Sequence, residues 1–330
     1  MNLLRSTFSL ASPSGKNGRL SIFIFHRVLP AIDPIFPDEP DATRFNEMMG
    51  WIKSWFNVLP LDAAVDALKT GKLPPRAAAI TFDDGYADNH DVALPILLKH
   101  GLPATFFIAT GFLDGGRMWN DTVIESIRAC PGDRLDLTEL GLGTHPVSSA
   151  LQKRAAITTI IGQIKYQPIG ERLELTQSLS EAAGVTPPED LMLTSVQVRE
   201  LHARGMQIGA HTVSHPIMAR TELAEARREI TDSKHFLENL LETQVSLFAY
   251  PNGKYGADYK EEHARIVQSL GFSAALTTTP GAATSDTDPF QLPRFTPWDR
   301  SRLKFGVRLL ENFRHLQPQR PDRSPASLAP

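Results

Sequence analysis

The stretch Ala77-Ala78-Ala79-Ile80-Thr81-Phe82-Asp83-Asp84-Gly85-Tyr86 decides how this chain is read. An apolar run ends abruptly in two adjacent carboxylates. Neighbouring strand residues point to opposite faces. Asp83 and Asp84 therefore reach one site only where a strand ends and the chain turns, and Gly85 permits such a turn. Paired carboxylates in one pocket can divide the labour, one on a metal and one handling protons. Alone, Asp-Asp-Gly reads more readily as a solvated turn than as a catalytic pair. A second stretch tips the balance. Met206-Gln207-Ile208-Gly209-Ala210 runs into His211-Thr212-Val213-Ser214-His215. Pro216 and the preceding apolar run place these histidines where a strand enters a tight loop. Two imidazoles and one carboxylate leave positions open for water, the pattern of a catalytic metal rather than a closed structural one.

Outward from these two stretches, strands and helices alternate. Candidate strands are Leu20–Phe25, Ala78–Phe82, Ala104–Ala109, Met206–Ala210, Leu247–Tyr250 and Phe272–Thr277. Amphipathic helices lie between them, at Ala42–Phe56, Leu61–Lys69, Asp91–Lys99, Ser195–Arg204, Glu222–Glu242 and Tyr259–Leu270. Gly71, Gly101, Gly205 and Gly271 follow helices where left-handed caps belong, and Thr194 and Thr221 stand at N-cap positions. This rhythm predicts parallel strands joined by crossover helices. His26, Asp83, Asp84, His211 and Tyr250 to Gly253 all fall at carboxyl ends of strands, where such sheets carry their chemistry.

Thr81 to Gly85 and His211 to His215 resemble the first two motifs of the polysaccharide deacetylases, the NodB-homology or carbohydrate esterase 4 family. Phe248-Ala249-Tyr250-Pro251-Asn252-Gly253 resembles the third. Phe25-His26-Arg27-Val28 and Leu292-Pro293-Arg294 are similar to an exopolysaccharide-handling branch. The resemblance covers roughly residues 19 to 300. It implies an α/β fold, a distorted (β/α)7 barrel, for which residues 290–295 could supply a closing strand. It also implies that Asp84, His211 and His215 hold a divalent metal, Zn or else Co, Ni or Fe, with Asp83 as general base. The oxyanion donor is then a backbone N–H at Asn252. The implied partner is an N-acetylated carbohydrate, and the implied reaction is metal-dependent hydrolysis of its amide.

Two departures from the family pattern stand out. The third motif usually carries an arginine that orients the base, and here that position is Ala249. Arg294 could supply the guanidinium from another strand, since a planar fork suits a carboxylate; a surface salt bridge is the plainer alternative. A late Leu-x-His normally supplies the general acid, but here it reads Leu276-Thr277-Thr278. His26 is the candidate replacement, or else a structural histidine at a strand end. Tyr86, Trp119 and Trp298 are candidate sugar platforms, and Asp88, Asn120 and Asp121 are polar loop residues near the same site. Two further functions fit: hydrolysis of another C–N bond, such as a formamide on a lipid-linked sugar, and a non-catalytic carbohydrate-binding role.

The bulk composition narrows the field. With 330 residues, 42% of them hydrophobic, the chain can bury one large core. Net charge is −3 and the 34 basic residues are scattered, so no nucleic-acid stripe is read. Cys130, the single cysteine, permits no internal disulfide. No run is long and apolar enough for a transmembrane helix or a signal sequence, so cytoplasmic residence is the expectation. Residues 1–18 read as an N-terminal extension, 19–316 as the deacetylase-like domain and 317–330 as a disordered, proline-rich tail. Within the domain, 117–193 is too long for a connection and reads as a helical insertion, either a wall of the site or a bystander. Oligomeric state is not legible.

Overall fold

The computed structural model describes residues 3–315; the expected tail at 317–330 lies outside them. In chain order the strands are β1 (Leu20–Phe25), β2 (Asn57–Val58), β3 (Ala77–Phe82), β4 (Thr105–Ile108), β5 (Arg134–Leu137), β6 (Gly143–Pro146), β7 (Gln207–Ala210), β8 (Leu247–Ala249) and β9 (Ala274–Leu276). The α-helices are α1 (Leu3–Ala11), α2 (Ala42–Trp55), α3 (Leu61–Lys69), α4 (Leu94–His100), α5 (Trp119–Ala129), α6 (Ala150–Ile164), α7 (Ile169–Ala182), α8 (Ser195–Ala203), α9 (Leu223–Leu241), α10 (Glu261–Ser269) and α11 (Arg302–Asn312).

The main sheet is parallel throughout, in the order β1-β3-β4-β7-β8-β9, with β2 beside β3. Its two edges meet through residues 292–295. Leu292 bridges Leu276 and Phe295 bridges Phe23, both in parallel sense. Pro293 has no N–H to give the ladder, so this closing segment forms two bridges rather than a continuous strand. The result is the expected α/β barrel, curled and imperfectly closed. Period-two burial builds it. Phe23, Phe25, Ile80, Phe82, Phe106 and Ile108 belong to the core shared with the outer helices. Leu20, Ile22, Ala77, Ala79, Phe107 and Ala249 belong to a second cluster with Leu292 and α3. Gly209 is required by close approach: a Cβ there would sit 2.4 Å from the Phe107 ring.

Local signals set several helix ends. Thr194 caps α8 in a reciprocal capping box with Gln197, and Gly101 closes α4 at φ 63°. Thr221 does not cap α9; Glu222 takes that position and the Thr221 hydroxyl donates back to the Met218 carbonyl. The stretch expected as an extension folds as α1 and buries Phe8 against Trp55, Phe56 and Phe313. The insertion is not purely helical. β5 and β6 form an antiparallel hairpin between α5 and α6, and Pro168 separates α6 from α7. Val123, Ile127, Leu135, Leu137, Ile157 and Leu179 give the insertion a small core, to which Ile35 from the segment after β1 also contributes.

Candidate active site

Asp83 continues the inward alternation of Ala77, Ala79 and Thr81 beyond the end of β3. It is buried, and Arg294 meets it as a planar fork: Nη1 donates to Oδ1 and Nη2 to Oδ2, each at 2.7 Å. Arg294 Nε donates to the Thr277 carbonyl at 2.7 Å, and Nη1 also reaches Thr81 Oγ1 at 3.3 Å. The guanidinium is thus fixed from both sides of the barrel seam. Burial pushes the Asp83 carboxyl up, but the Arg294 charge, with His211 and the fork hydrogen bonds, outweighs it and holds the group below the usual carboxylate range.

Asp84 breaks the alternation. Its φ is +76°, and the Gly85 N–H donates to the Asp83 carbonyl at 3.0 Å, which makes the rare γ-turn of positive φ. This turn lifts Asp84 over the strand end toward the histidines. Asp84 Oδ1 lies 3.4 Å from His211 Nε2 and 3.3 Å from His215 Nε2. Those contacts are too loose for good hydrogen bonds, and Oδ1 is a buried acceptor without one. The His211 Nδ1–H donates to the Ala249 carbonyl at 2.7 Å, which leaves Nε2 facing Asp84. That is how a metal-ligating imidazole is usually oriented. One ligand atom from each of Asp84, His211 and His215 lies within 4.8 Å of the others, and among the described residues this is the one such cluster. Burial pushes His215 down to about 4, so its imidazole is neutral and able to ligate. Burial opposes protonation of His211 too, but the two aspartates raise it, so the pocket favours a positive charge at this point. A buried orphan oxygen, an oriented imidazole and an anionic field together suit a divalent cation.

The histidine loop is held from outside the motif. Glu229 on α9 accepts from the Val213 and Ser214 N–H groups at 2.8 Å each and from Ser214 Oγ at 2.7 Å. Thr110 and Gly111, after β4, donate to the Thr212 and Val213 carbonyls at 3.1 and 2.8 Å. The Asn252 loop makes a second γ-turn, with φ +59° and a 2.7 Å bond from the Gly253 N–H to the Pro251 carbonyl. Thr278 stands where the family histidine would be. Its hydroxyl donates to the Asn252 carbonyl at 2.7 Å.

A cleft of about 300 Å³ brings these groups together: His26, Asp83, Asp84, His211, His215, Asn252 and Thr278 all line it. His26 is exposed at the mouth, and its carbonyl accepts from Asn89 Nδ2 at 2.8 Å. Met118, Trp119, Asn120, Ile161, Lys165 and Arg172, with Ile217 after the histidine loop, complete the cleft, so the insertion is one of its walls. Trp298 is not among the lining residues; it is largely exposed, under Arg308. Tyr86 is buried, with its hydroxyl 3.1 Å from Asp121, and lines an adjoining cleft rather than offering an open ring. Asp88 anchors Arg27 Nε at 2.8 Å and the Val28 N–H at 3.0 Å. Burial, with Asp84 and Glu125 adding to it, pushes Asp121 up to about 7 against the opposing Arg27 charge and the Tyr86 hydroxyl. Glu229, Lys165 and Arg172 escaped the sequence reading. Each sits mid-helix or at a helix end with no local motif, and only the tertiary fold brings it to the site.

Comparison with known proteins gives a consistent result. The model of the family described as Polysaccharide deacetylase matches residues 70–130 and 152–275. A Bacillus subtilis (strain 168) protein carrying the name polysaccharide deacetylase, YxkH, is 22% identical over 281 residues, 84% of this chain and 71% of that protein. The poly-beta-1,6-N-acetyl-D-glucosamine N-deacetylase of Staphylococcus aureus (strain MSSA476) is 32% identical over 104 residues, 31% of this chain and 36% of that enzyme. The fold superposes on Streptococcus pyogenes deacetylase PplD, solved in complex with acetate, with a TM-score of 0.59 at 20% identity, covering 90% of this chain and 99% of that one.

Proposed function

The chain belongs to the polysaccharide deacetylase family, hydrolases of N-acetyl groups on sugars, and from that premise we propose how its own residues carry out the reaction. Asp84, His211 and His215 hold a divalent ion, with zinc the first choice for two imidazoles and a carboxylate. Such an ion supplies Lewis acidity toward the acyl oxygen and lowers the pKa of water. Asp83 takes the proton from the attacking water. Arg294 fixes the Asp83 rotamer and keeps it ionised, the task that Ala249 cannot perform. The Asn252 backbone N–H, presented by its γ-turn, faces the developing oxyanion. His26 donates the proton to the departing amine from the cleft mouth, since the Thr278 hydroxyl is committed to the Asn252 carbonyl and is too weak an acid.

The observation that carries this reading is the two-point Arg294–Asp83 pair beside three converging metal donors in one cleft. The proposed substrate is an N-acetylated polysaccharide or its precursor, and the partial likeness to an enzyme named for poly-beta-1,6-N-acetyl-D-glucosamine makes that polymer the first to test. Among the described residues no helix is long and apolar enough to cross a membrane. The test is acetate release from poly-beta-1,6-N-acetylglucosamine and chitooligosaccharides, with the metal stripped by chelation and restored as Zn, Co, Ni or Fe. Release that stops on stripping and returns with metal is expected. Metal-independent release, or none from any N-acetylated glycan, rejects the proposal.

A further inference from the structure

Among the described residues two arginines are almost fully buried, Arg294 and Arg172. Arg294 has Asp83. Arg172, 6% exposed, has no carboxylate partner among the described residues. It stacks on Trp119 at 4.6 Å, and Nη1 donates to the Lys165 carbonyl at 3.0 Å, but Nε is buried without an acceptor. Other partly buried guanidinium groups near the site are neutralised, Arg27 by Asp88 and Arg128 by Asp33 and Glu125. A buried, unpaired guanidinium is costly, and a neutral sugar wall does not need one.

The surroundings of Arg172 make the imbalance larger. Lys165, Arg172 and Ile217 line both the catalytic cleft and a recess of about 280 Å³, so the two spaces adjoin across these side chains. Arg220, shortly after the histidine loop, reaches over the same Tyr166 ring as Lys165, at 4.5 and 5.7 Å. Neither cation has an ion pair among the described residues. The recess is also lined by Pro168 and Ile169, where α7 begins without a side-chain cap, so its first N–H groups add positive potential. Glu171 in that first turn is exposed and lines neither space.

We infer that this recess is an anion subsite, which binds an oxyanion, carboxylate or phosphate, carried by the substrate close to its N-acetylated sugar. The inference rests on the deacetylase reading for what occupies the neighbouring cleft. Arg172 meets the oxyanion through Nη2, which has no hydrogen bond among the described residues and, unlike Nε, is not buried; Lys165 and Arg220 close over it, and the exposed Tyr166 ring packs on the adjoining sugar. The preferred substrates are then acidic glycans or phosphate-linked sugars rather than neutral homopolymers.

The test is calorimetric binding to the zinc-loaded full chain of three probes: N-acetylchitotetraose as neutral ligand, a hyaluronan tetrasaccharide as carboxylate and N-acetylglucosamine 1-phosphate as phosphate. At least one anionic probe should bind about tenfold more tightly than the neutral one at low salt, and raised salt should erode the advantage. Tighter hyaluronan assigns the carboxylate, tighter sugar phosphate the phosphate. A Lys165→Ala, Arg220→Ala double variant, changed at one half-buried and one exposed position, should lose most of the preference, and Arg172→Gln should lose it too if it folds. Equal binding of all three probes, or a preference that survives the double variant, overturns the subsite. Acetate release from neutral oligomers with no anion preference rejects the subsite and leaves the deacetylase reading intact. Anion-selective binding with no acetate release from any glycan does the reverse.

Discussion

Replacing Arg294 by lysine isolates what the guanidinium does for Asp83. The native side chain gives Asp83 two charge-assisted bonds at 2.7 Å and anchors itself on the Thr277 carbonyl. A lysine ammonium keeps the charge, but as a point, and holds the carboxylate at one oxygen. Losing one charge-assisted bond in a buried setting costs about 1.5–3 kcal/mol. If that loss falls on the orientation of the base in the transition state, kcat falls by roughly 10- to 100-fold. Arg294→Ala leaves a buried, unpaired carboxylate at about 3–5 kcal/mol, a large share of a typical 5–15 kcal/mol of stability, so lysine is the cleaner probe. The pH profile separates positioning from general weakening. Asp83 is held below its ordinary range, so its stabilising contribution is present above that range and is lost as pH falls through the folded value. With the fork weakened, burial raises Asp83 and the acid limb of kcat moves to higher pH. The assay is acetate release across pH 4–9 on folded, metal-loaded Arg294→Lys. A kcat within about threefold of the parent and an unmoved acid limb would refute the positioning role.

Asp83→Asn should retain metal, measured by elemental analysis, and lose about 10²- to 10⁴-fold in kcat; loss of metal with turnover restored by excess metal would mean that the two aspartates have exchanged roles. Glu229→Gln keeps one acceptor for the loop N–H groups but gives up the charge, so metal affinity should fall by about 10- to 100-fold while secondary structure is unchanged; unaltered affinity in a chelator competition would show that the loop stands without it. Asp121 has a folded pKa near 7, above its unfolded value, so it favours the folded state at low pH and that contribution is lost as pH rises through about 7. Asp121→Asn should therefore match the parent near pH 4 and exceed it at pH 8, by at most roughly 4 kcal/mol for three pKa units. Urea unfolding curves that stay parallel from pH 5 to 9 would contradict this.

The barrel was legible because its signals are local and repeated. Apolar runs ended by chemistry-bearing residues mark β1, β3 and β7, and glycines mark helix ends. The closing segment was legible only as a candidate, because Pro293 disguises it as a loop. What escaped lay where tertiary packing overrides local pattern. β2 is two residues long and exists because β3 offers it a partner at Ala77 and Ala78. The β5–β6 hairpin sits in a stretch without clear alternation. α1 looks polar and broken until Phe8 finds Trp55 and Phe313. At the site, Asp84, His211 and His215 could be grouped from sequence because each stands at or just beyond a strand end, and the fold brings them together. Glu229 and Arg172 could not, since each acts through a partner far along the chain. Trp298 was drawn in by proximity to Arg294 in sequence, yet the chain leaves the barrel mouth after Phe295 and carries the ring away.

The strain at this site explains why its supports are so dense. Of seven described non-glycine residues with positive φ, four are Asp84, Thr212, His215 and Asn252. Each such conformation costs on the order of 1–3 kcal/mol, a total that no single loop contact offsets. The compensation is spread through neighbouring elements. Arg294 ties the end of β3 to the closing segment and to Thr277 after β9, Glu229 ties the histidine loop to α9, and Thr278 ties the Asn252 turn to the chain beyond β9. Two of these three ties end on residues that follow β9, at the seam where the barrel closes. Closing the barrel and completing the site therefore depend on one segment: residues 292–295 bridge β9 to β1 and carry the guanidinium that meets Asp83, without which burial would favour the neutral carboxyl. On the proposed reading, the guanidinium that Ala249 cannot supply comes from the segment that completes the sheet, so closure of the barrel is what orients Asp83 as the base.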